Sequence, residues 1–178
     1  MDKCAIFIDG GYLNKILKNS YNEARIDYQK LSEAVSNELG LYRLRTYYYY
    51  CMPLVRRGNT MDESRLADSQ KFATGLRRLP RFEVKLGRLQ IINGQFKQKM
   101  VDVLMSLDIV EMCFSKNIQH AVLIAGDSDF VPAVKKAKDY GSVVHLYYNP
   151  DSVHTQLLDE VDELHPITEK LISEVSRN

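Results

Sequence analysis

The ten residues Ala121–Phe130, AVLIAGDSDF, decide how the rest of this 178-residue sequence is interpreted. An apolar run ends in a turn of small residues, and two carboxylates, Asp127 and Asp129, follow one residue apart. The segment Val131–Tyr140 that comes next has a helical pattern, so the stretch predicts a strand, a turn and a helix. Ligands of open α/β sheets bind beyond the carboxyl ends of the strands. We therefore expect both carboxylates at a functional edge of the sheet.

A purely structural interpretation of this turn is also open. Aspartate is a favoured residue at the N-cap of a helix, where its side chain accepts a hydrogen bond from the backbone. Such a cap would account for one of the two carboxylates and would leave the other without a role. The spacing of Asp127 and Asp129 therefore favours a functional site over a cap alone.

A second apolar run, Cys4–Ile8, leads into Asp9-Gly10-Gly11 and predicts another buried strand that ends at a carboxylate. Further strands are predicted at 43–51, 82–92 and 143–148, with helices between them, among them one over 66–79 and one that starts at Ser152. Strands that alternate with helices are typical of a parallel sheet covered on both faces. The sequence thus predicts an α/β fold with a parallel sheet covered by helices on both faces.

One domain is expected over residues 1–178, with a hairpin insertion near 86–99. A length of 178 residues is typical of a single domain, and no linker or repeat interrupts the pattern. The dipeptide Asn93-Gly94, between the predicted strands 82–92 and 95–99, is the strongest short signal for a β-hairpin.

The composition indicates an ordinary globular protein, because 45% of the residues are hydrophobic and 26% are charged. No apolar run approaches the roughly 20 residues that span a bilayer. We therefore expect no membrane partner and a cytoplasmic location. The three cysteines (Cys4, Cys51 and Cys113) lie in apolar surroundings and are interpreted as reduced thiols.

Positive charge is concentrated in one segment, although the formal net charge is only +1. Residues 77–99 contain seven lysines and arginines and one acid, Glu83. A basic segment of this kind suits an enzyme that processes a polyanion. A solvated surface would produce the same count, so both interpretations stay open.

Four carboxylates are distinguished by their positions: Asp9, Asp127 and Asp129 follow strands, and Asp102 opens a predicted helix. Clustered oxygen ligands suit the hard cations Mg²⁺ and Mn²⁺. Asp108 lies about 9 Å further along that helix, which is too far for one small ion to bind both it and Asp102 directly. Asp108 could serve a second ion, order water or make a structural hydrogen bond.

Other chemistries fit the sequence less well. It contains neither a Walker-type phosphate loop nor a dinucleotide-binding GxGxxG motif. The four histidines (His120, His145, His154 and His165) lack a zinc-like spacing with the cysteines and are interpreted as structural. Phosphatases with an aspartyl nucleophile require a second Asp two residues after the first, and Gly11 stands there.

Three motifs together resemble the NYN domain family, specifically its LabA-like branch: FIDGGYL at 7–13, KMVDV at 99–103 followed by Asp108, and AGDSDF at 125–130. The resemblance implies a PIN-like fold, which is an α/β three-layer sandwich with a central, mostly parallel sheet of about five strands flanked by helices, and a metal-dependent ribonuclease site. By position, it makes Asp9, Asp102, Asp127 and Asp129 the catalytic, metal-binding acids, and Asp108 matches a recurrent acid of the family. It also implies Mg²⁺ or Mn²⁺ as cofactor and single-stranded or structured RNA as partner.

The sequence departs from the family at Tyr12, because many relatives have Asn three residues after the first Asp, and Asn14 lies nearby but out of register. The departure leaves two functions open: a metal-dependent ribonuclease that cuts within RNA, or an RNA-binding regulatory protein of little or no activity. A homodimer is a further expectation. The residues expected to contact the substrate are Tyr12, Asn14, Ser128, Arg88, Lys97 and Lys99.

Overall fold

The computed structural model describes the backbone of residues 1–92 and 95–177 and the side chains of residues 1–87 and 100–177. The predicted turn at Asn93-Gly94 lies outside the described residues. In chain order, the elements are β1 (Lys3–Asp9), α1 (Gly10–Ser20), α2 (Tyr28–Glu38), β2 (Tyr42–Cys51), α3 (Thr60–Arg77), β3 (Phe82–Ile92), β4 (Gln95–Lys99), α4 (Val101–Phe114), β5 (His120–Ile124), a 3₁₀ turn (Ser128–Phe130), α5 (Val131–Asp139), β6 (Val143–Tyr148), α6 (Thr155–Glu160), β7 (Glu163–Pro166) and α7 (Glu169–Val175).

The strands form one sheet in the order β4-β3-β2-β1-β5-β6-β7. Six of them run parallel, and β4 pairs with β3 in the antiparallel direction. The predicted α/β class and mostly parallel sheet are confirmed. The sheet has seven strands and is wider than the five expected, since the hairpin strand β4 extends one edge and the short strand β7, with little apolar character, extends the other.

Helices cover both faces of the sheet, which explains why β1 and β5 are apolar without alternation. On one face, Ile6 and Ile8 pack with residues of α1, α2, α3 and α7. On the other face, Ala5 and Phe7 pack with residues of α4, α5 and α6. The three-layer sandwich therefore has a core on each side of the sheet.

Polar side chains fix the starts of four helices by accepting hydrogen bonds from the first-turn backbone, among them Thr168 at α7. Asp9 caps α1, Asp27 caps α2 and Asn59 caps α3. The cap at Asn59 explains why α3 starts at Thr60, six residues before the helix predicted from the apolar pattern.

Three further observations bear on the sequence predictions. Cys4, Cys51 and Cys113 carry free thiols, as expected. The helix expected to start at Ser152 starts at Thr155. Among the described residues, no helix combines the length and the apolar character needed to cross a membrane.

Candidate functional site

A cavity of about 470 Å³ opens at the carboxyl ends of β1, β5 and β6, which are neighbours in the sheet. This acid cavity lies where the chain order reverses, with β2 on one side of β1 and β5 on the other, and ligands of open α/β sheets bind at such points. The residues that line it are Asp9, Gly11, Tyr12, Lys15, Asp102, Gly126, Asp127, Asp151, Ser152, Val153 and His154.

Asp9 is the most buried acid of the cavity, with 9% of its surface exposed. Its side chain accepts a hydrogen bond of 3.0 Å from the backbone N–H of Tyr12, and thereby caps α1. Burial is the main cause that raises the pKa of Asp9, and the negative charges of Asp102 and Asp127 add to it; against the lowering effect of the cap, the pKa is about 6. Asp9 therefore carries its charge at neutral pH only at a cost in free energy.

Asp102 reaches the cavity from the first turn of α4. Burial raises its pKa, and the charges of Asp127 and Asp129 add to the effect. The residue before α4, Met100, has a φ of 79°. This left-handed conformation favours glycine.

The turn after β5 holds Asp127 and Asp129 in different surroundings. Asp127 lines the cavity, and its carboxylate accepts a hydrogen bond of 3.1 Å from the backbone N–H of Asp129. Asp129 is exposed and lines a neighbouring groove together with Ser128 and Asp102. Asp127 thus acts as a cap while its carboxylate also faces the cavity, so the two interpretations of this turn are compatible.

Negative charge is concentrated in the cavity without close packing of the carboxylates. Among the residues with described side chains, these acids do not form a group of three whose oxygens lie within 4.8 Å of one another. Lys15 and His154 are the basic residues of the described lining. The site is therefore an open acidic pocket with room for water or an ion between the carboxylates.

Tyr12 organises the wall of the cavity. Its hydroxyl accepts a hydrogen bond of 2.8 Å from the backbone N–H of Asn149, after β6. A Cβ at position 126 would meet the Tyr12 ring and would stand 2.6 Å from the carbonyl oxygen of Ser152. Gly126 therefore permits the close approach of α1 and the 149–154 loop. Asn14 lies elsewhere, in a separate cavity that Lys18 and Arg25 also line.

Asp108 does not line the acid cavity. Its carboxylate accepts a hydrogen bond of 2.7 Å from the Tyr49 hydroxyl and lies 3.8 Å from the Lys85 ammonium. Of the three roles left open for Asp108, the structure shows the hydrogen bond.

The basic positions Arg88, Lys97 and Lys99 belong to the β3–β4 hairpin. In the backbone register, Arg88 pairs with Lys99, and Gln90 pairs with Lys97, so the three positions lie within two steps of one ladder. Their side chains are outside the described residues, and their contact with substrate stays a prediction.

Sequence reasoning missed the contribution of the loop that follows β6. Asp151, Ser152 and His154 line the cavity, and the backbone N–H of His154 donates a hydrogen bond of 2.9 Å to the carbonyl oxygen of Gly126. The sequence did contain a signal for this loop, because a loop that follows a parallel strand beside β5 lies at the same edge of the sheet as Asp127. Recognising it requires knowing that β6 is the neighbour of β5.

Comparisons with known proteins agree with this fold. Two curated proteins are similar over short stretches: the uncharacterized protein y4oD of Sinorhizobium fredii, 44% identical over 64 residues, and the uncharacterized protein MJ0482 of Methanocaldococcus jannaschii, 40% identical over 58 residues. The alignments cover 36% and 30% of this chain, but only 29% and 24% of those two proteins.

Among solved structures, VPA0982 of Vibrio parahaemolyticus, a protein of unknown function, superposes with a TM-score of 0.71. It is 22% identical, and the match covers 94% of each chain, which establishes the common fold. The sequence profile of the NYN domain matches residues 3–168. The chain therefore belongs to the NYN domain family, which implies a PIN-like nuclease fold.

Proposed function

We propose that this protein is a metal-dependent ribonuclease that cuts within RNA at the acid cavity. The observation that carries the proposal is that Asp9, Asp102 and Asp127 come from three distant parts of the sequence and line one cavity. The raised pKa of Asp9 supports it, because burial and, to a smaller extent, the charges of Asp102 and Asp127 disfavour its ionisation unless a cation joins them.

The chemistry of the donors fits Mg²⁺ or Mn²⁺, which prefer carboxylate and water oxygens. Among the described side chains, no three of these acids bring their oxygens within 4.8 Å of one another, so one or two carboxylates would bind Mg²⁺ directly and the rest would act through its waters, as is usual for this ion. Asp9, Asp102 and Asp127 would hold the ion, and Asp129 would act from the rim. Such an ion, when bound, activates water and stabilises charge on phosphoryl oxygens.

Other residues of the cavity would position the substrate. Lys15 lies on the wall, where its ammonium can pair with a phosphate of the RNA backbone. Ser128 lies beside Asp129 in the adjoining groove, on a path by which a strand could leave the cavity. For Tyr12 we propose a positioning role, because its hydroxyl is engaged by the backbone of Asn149.

The second candidate function is RNA binding with little or no turnover. The observation that favours it is that Tyr12 replaces the amide side chain common in the family and directs its hydroxyl to Asn149. That this chain belongs to the LabA-like branch, and that it forms a homodimer, also stay predictions.

The test is cleavage of labelled single-stranded and hairpin RNAs with Mn²⁺ or Mg²⁺, by the wild type and by Asp127→Asn. We expect internal cuts that depend on the metal and are abolished by chelation and by the substitution. The matched control is Asp139→Asn, an exposed acid of α5 that pairs with Lys136 and should leave cleavage unchanged.

RNA binding, measured separately by fluorescence anisotropy, distinguishes the two candidates. Binding without cleavage in the wild type would favour the regulatory protein. Cleavage that Asp127→Asn leaves intact would contradict the proposed site.

A further inference from the structure

Three histidines form a row across one face of the sheet, on neighbouring strands. His120 begins β5, His145 lies in β6 and His165 lies in β7. The ring centroids of His120 and His145 are 5.2 Å apart, and those of His145 and His165 are 5.5 Å apart. None of the three lines the acid cavity. The row is therefore a second cluster of titratable groups, and the proposed ribonuclease chemistry does not use it.

Two of these histidines form a compact triangle with a carboxylate. His145 Nδ1 lies 3.2 Å from Glu163 Oε2 and 3.3 Å from His165 Nε2, and the third edge, from His165 Nε2 to Glu163 Oε2, is 3.7 Å. These are the edges expected around a small ion, because a tetrahedral Zn²⁺ with bonds of about 2.0–2.1 Å separates its ligand atoms by about 3.4 Å. We propose that His145, Glu163 and His165 bind Zn²⁺, with water as the fourth ligand.

The hydrogen bonding of His145 fits this role. Its other ring nitrogen, Nε2, lies 2.9 Å from His120 Nδ1, and His120 Nε2 in turn lies 3.6 Å from Asp2 Oδ2. A histidine that binds a metal through one nitrogen usually donates the proton on its other nitrogen to a carboxylate, a carbonyl or water, and here the His120 nitrogen would take that place. When Nε2 of His145 donates to His120, Nδ1 carries a free lone pair directed into the triangle.

The triangle is poorly satisfied without a cation when the proton of His145 is on Nε2, whereas the tautomer with the proton on Nδ1 donates to Glu163 and needs no ion. With Nδ1 of His145 unprotonated, it would face the Glu163 carboxylate as one acceptor against another at 3.2 Å. A proton on His165 Nε2 could be donated well to Nδ1 of His145 or to the Glu163 carboxylate, but not to both. A divalent cation accepts lone pairs from all three atoms at once.

The site has both an entry path and a structural consequence. The Glu163 side chain is 54% exposed and that of His165 is 19% exposed, so an ion and a water ligand can enter from solvent. His145 and Glu163 are also register partners in β6 and β7. Zn²⁺ would therefore fasten the four-residue edge strand β7 to the sheet. Two imidazoles and a carboxylate, without thiolate, are a known ligand set for zinc.

The proposal is tested by titrating the full chain with Zn²⁺ in an Asp127→Asn background, which weakens metal binding at the acid cavity. We expect one equivalent to bind, with at least a tenfold loss of affinity in Glu163→Gln and a larger loss in His165→Ala. Asp159→Asn, an exposed acid of α6, is the control that should keep full affinity. Co²⁺ in place of Zn²⁺ should give the visible absorption of a tetrahedral site without a thiolate charge-transfer band.

Glu163→Gln is the decisive variant, because its exposed side chain can change without disturbing the fold. Circular dichroism and the melting temperature in chelator verify that each variant is folded. Equal Zn²⁺ affinity in Glu163→Gln and its parent, or a thiolate band with Co²⁺, would overturn the proposal. Because the readout is metal binding, its failure is independent of any result on RNA cleavage.

Discussion

Replacing Asp9 by Asn should stabilise the metal-free protein at neutral and alkaline pH. Burial and the neighbouring acids raise the pKa of Asp9 from 3.8 to about 6 in the folded chain. The difference of about 2.2 pKa units, at 1.36 kcal/mol each, corresponds to about 3 kcal/mol. Asn removes the charge and, being a favoured N-cap itself, preserves the cap of α1.

The sign follows from linkage. Because the folded pKa is the higher one, the folded state binds more protons between pH 3.8 and about 6, and this group makes stability fall as pH rises through that window. Below this pH window Asp9 is protonated in both the folded and the unfolded state and does not lower the stability. Above the window the full free-energy penalty of its buried charge is present. The advantage of Asp9→Asn should therefore be only about 0.5 kcal/mol at pH 4 and about 3 kcal/mol at pH 8.

The assay is thermal and urea unfolding in chelator at both pH values. For a chain of this size, about 3 kcal/mol corresponds to roughly 6–12 °C in melting temperature. The control is Asp27→Asn, an N-cap aspartate of α2 outside the acid cavity, which measures what the loss of charge does at a helix start. An Asp9→Asn variant no more stable than wild type at pH 8 would refute the reasoning.

Three further predictions concern the metal, the packing and the RNA. Millimolar Mn²⁺ should raise the melting temperature of the wild type, because binding at a hundredfold excess over Kd adds about 2.7 kcal/mol to the free energy of unfolding, and it should raise that of Asp127→Asn less. An equal response in both would contradict metal binding at Asp127. Gly126→Ala should cost about 1–3 kcal/mol in urea unfolding, because the added Cβ meets the Ser152 backbone at 2.6 Å; an unchanged midpoint would show that the 149–154 loop yields easily. Replacing Arg88, Lys97 and Lys99 by Ala should lower the magnitude of the slope of log affinity against log salt for single-stranded RNA by up to about 2, since each lost phosphate contact contributes about 0.7. Identical slopes for the variant and the wild type would favour the interpretation of residues 77–99 as a solvated surface.

The strand-end acids could be predicted from the sequence because the signal is local. The apolar runs before Asp9 and Asp127 are short and unbroken, which predicts buried parallel strands, and the carboxyl ends of such strands lie at one edge. Asp102 followed from the resemblance to the family and from its place at a helix start. Which side chains of these acids face the cavity, and how strongly Asp9 is buried, depend on packing between distant segments.

The features that the sequence did not predict depend on the order of the strands. Residues 163–166, ELHP, contain one aliphatic residue and end in proline, so the pattern does not predict the edge strand β7. His120, His145 and His165 are more than 15 residues apart in sequence and meet only because β5, β6 and β7 are neighbours. The same holds for the loop after β6, whose place beside Asp127 follows from pairing and not from any local motif.

The position of β1 in the sheet has a consequence for how the molecule is assembled during synthesis. β1 is the first strand made, yet one of its two neighbours, β5, follows more than 100 residues later. Pairing across so long a stretch of chain is slow, because loop closure must precede the contacts that reward it. The half of the sheet from β1 to β3 can form early, whereas Asp9 and Asp127 come together only after β5 has docked. A nascent chain that stops short of β5 would therefore expose one flank of β1 and hold only part of the acid cavity, so the cavity should arise in the same folding step as the pairing of β1 with β5.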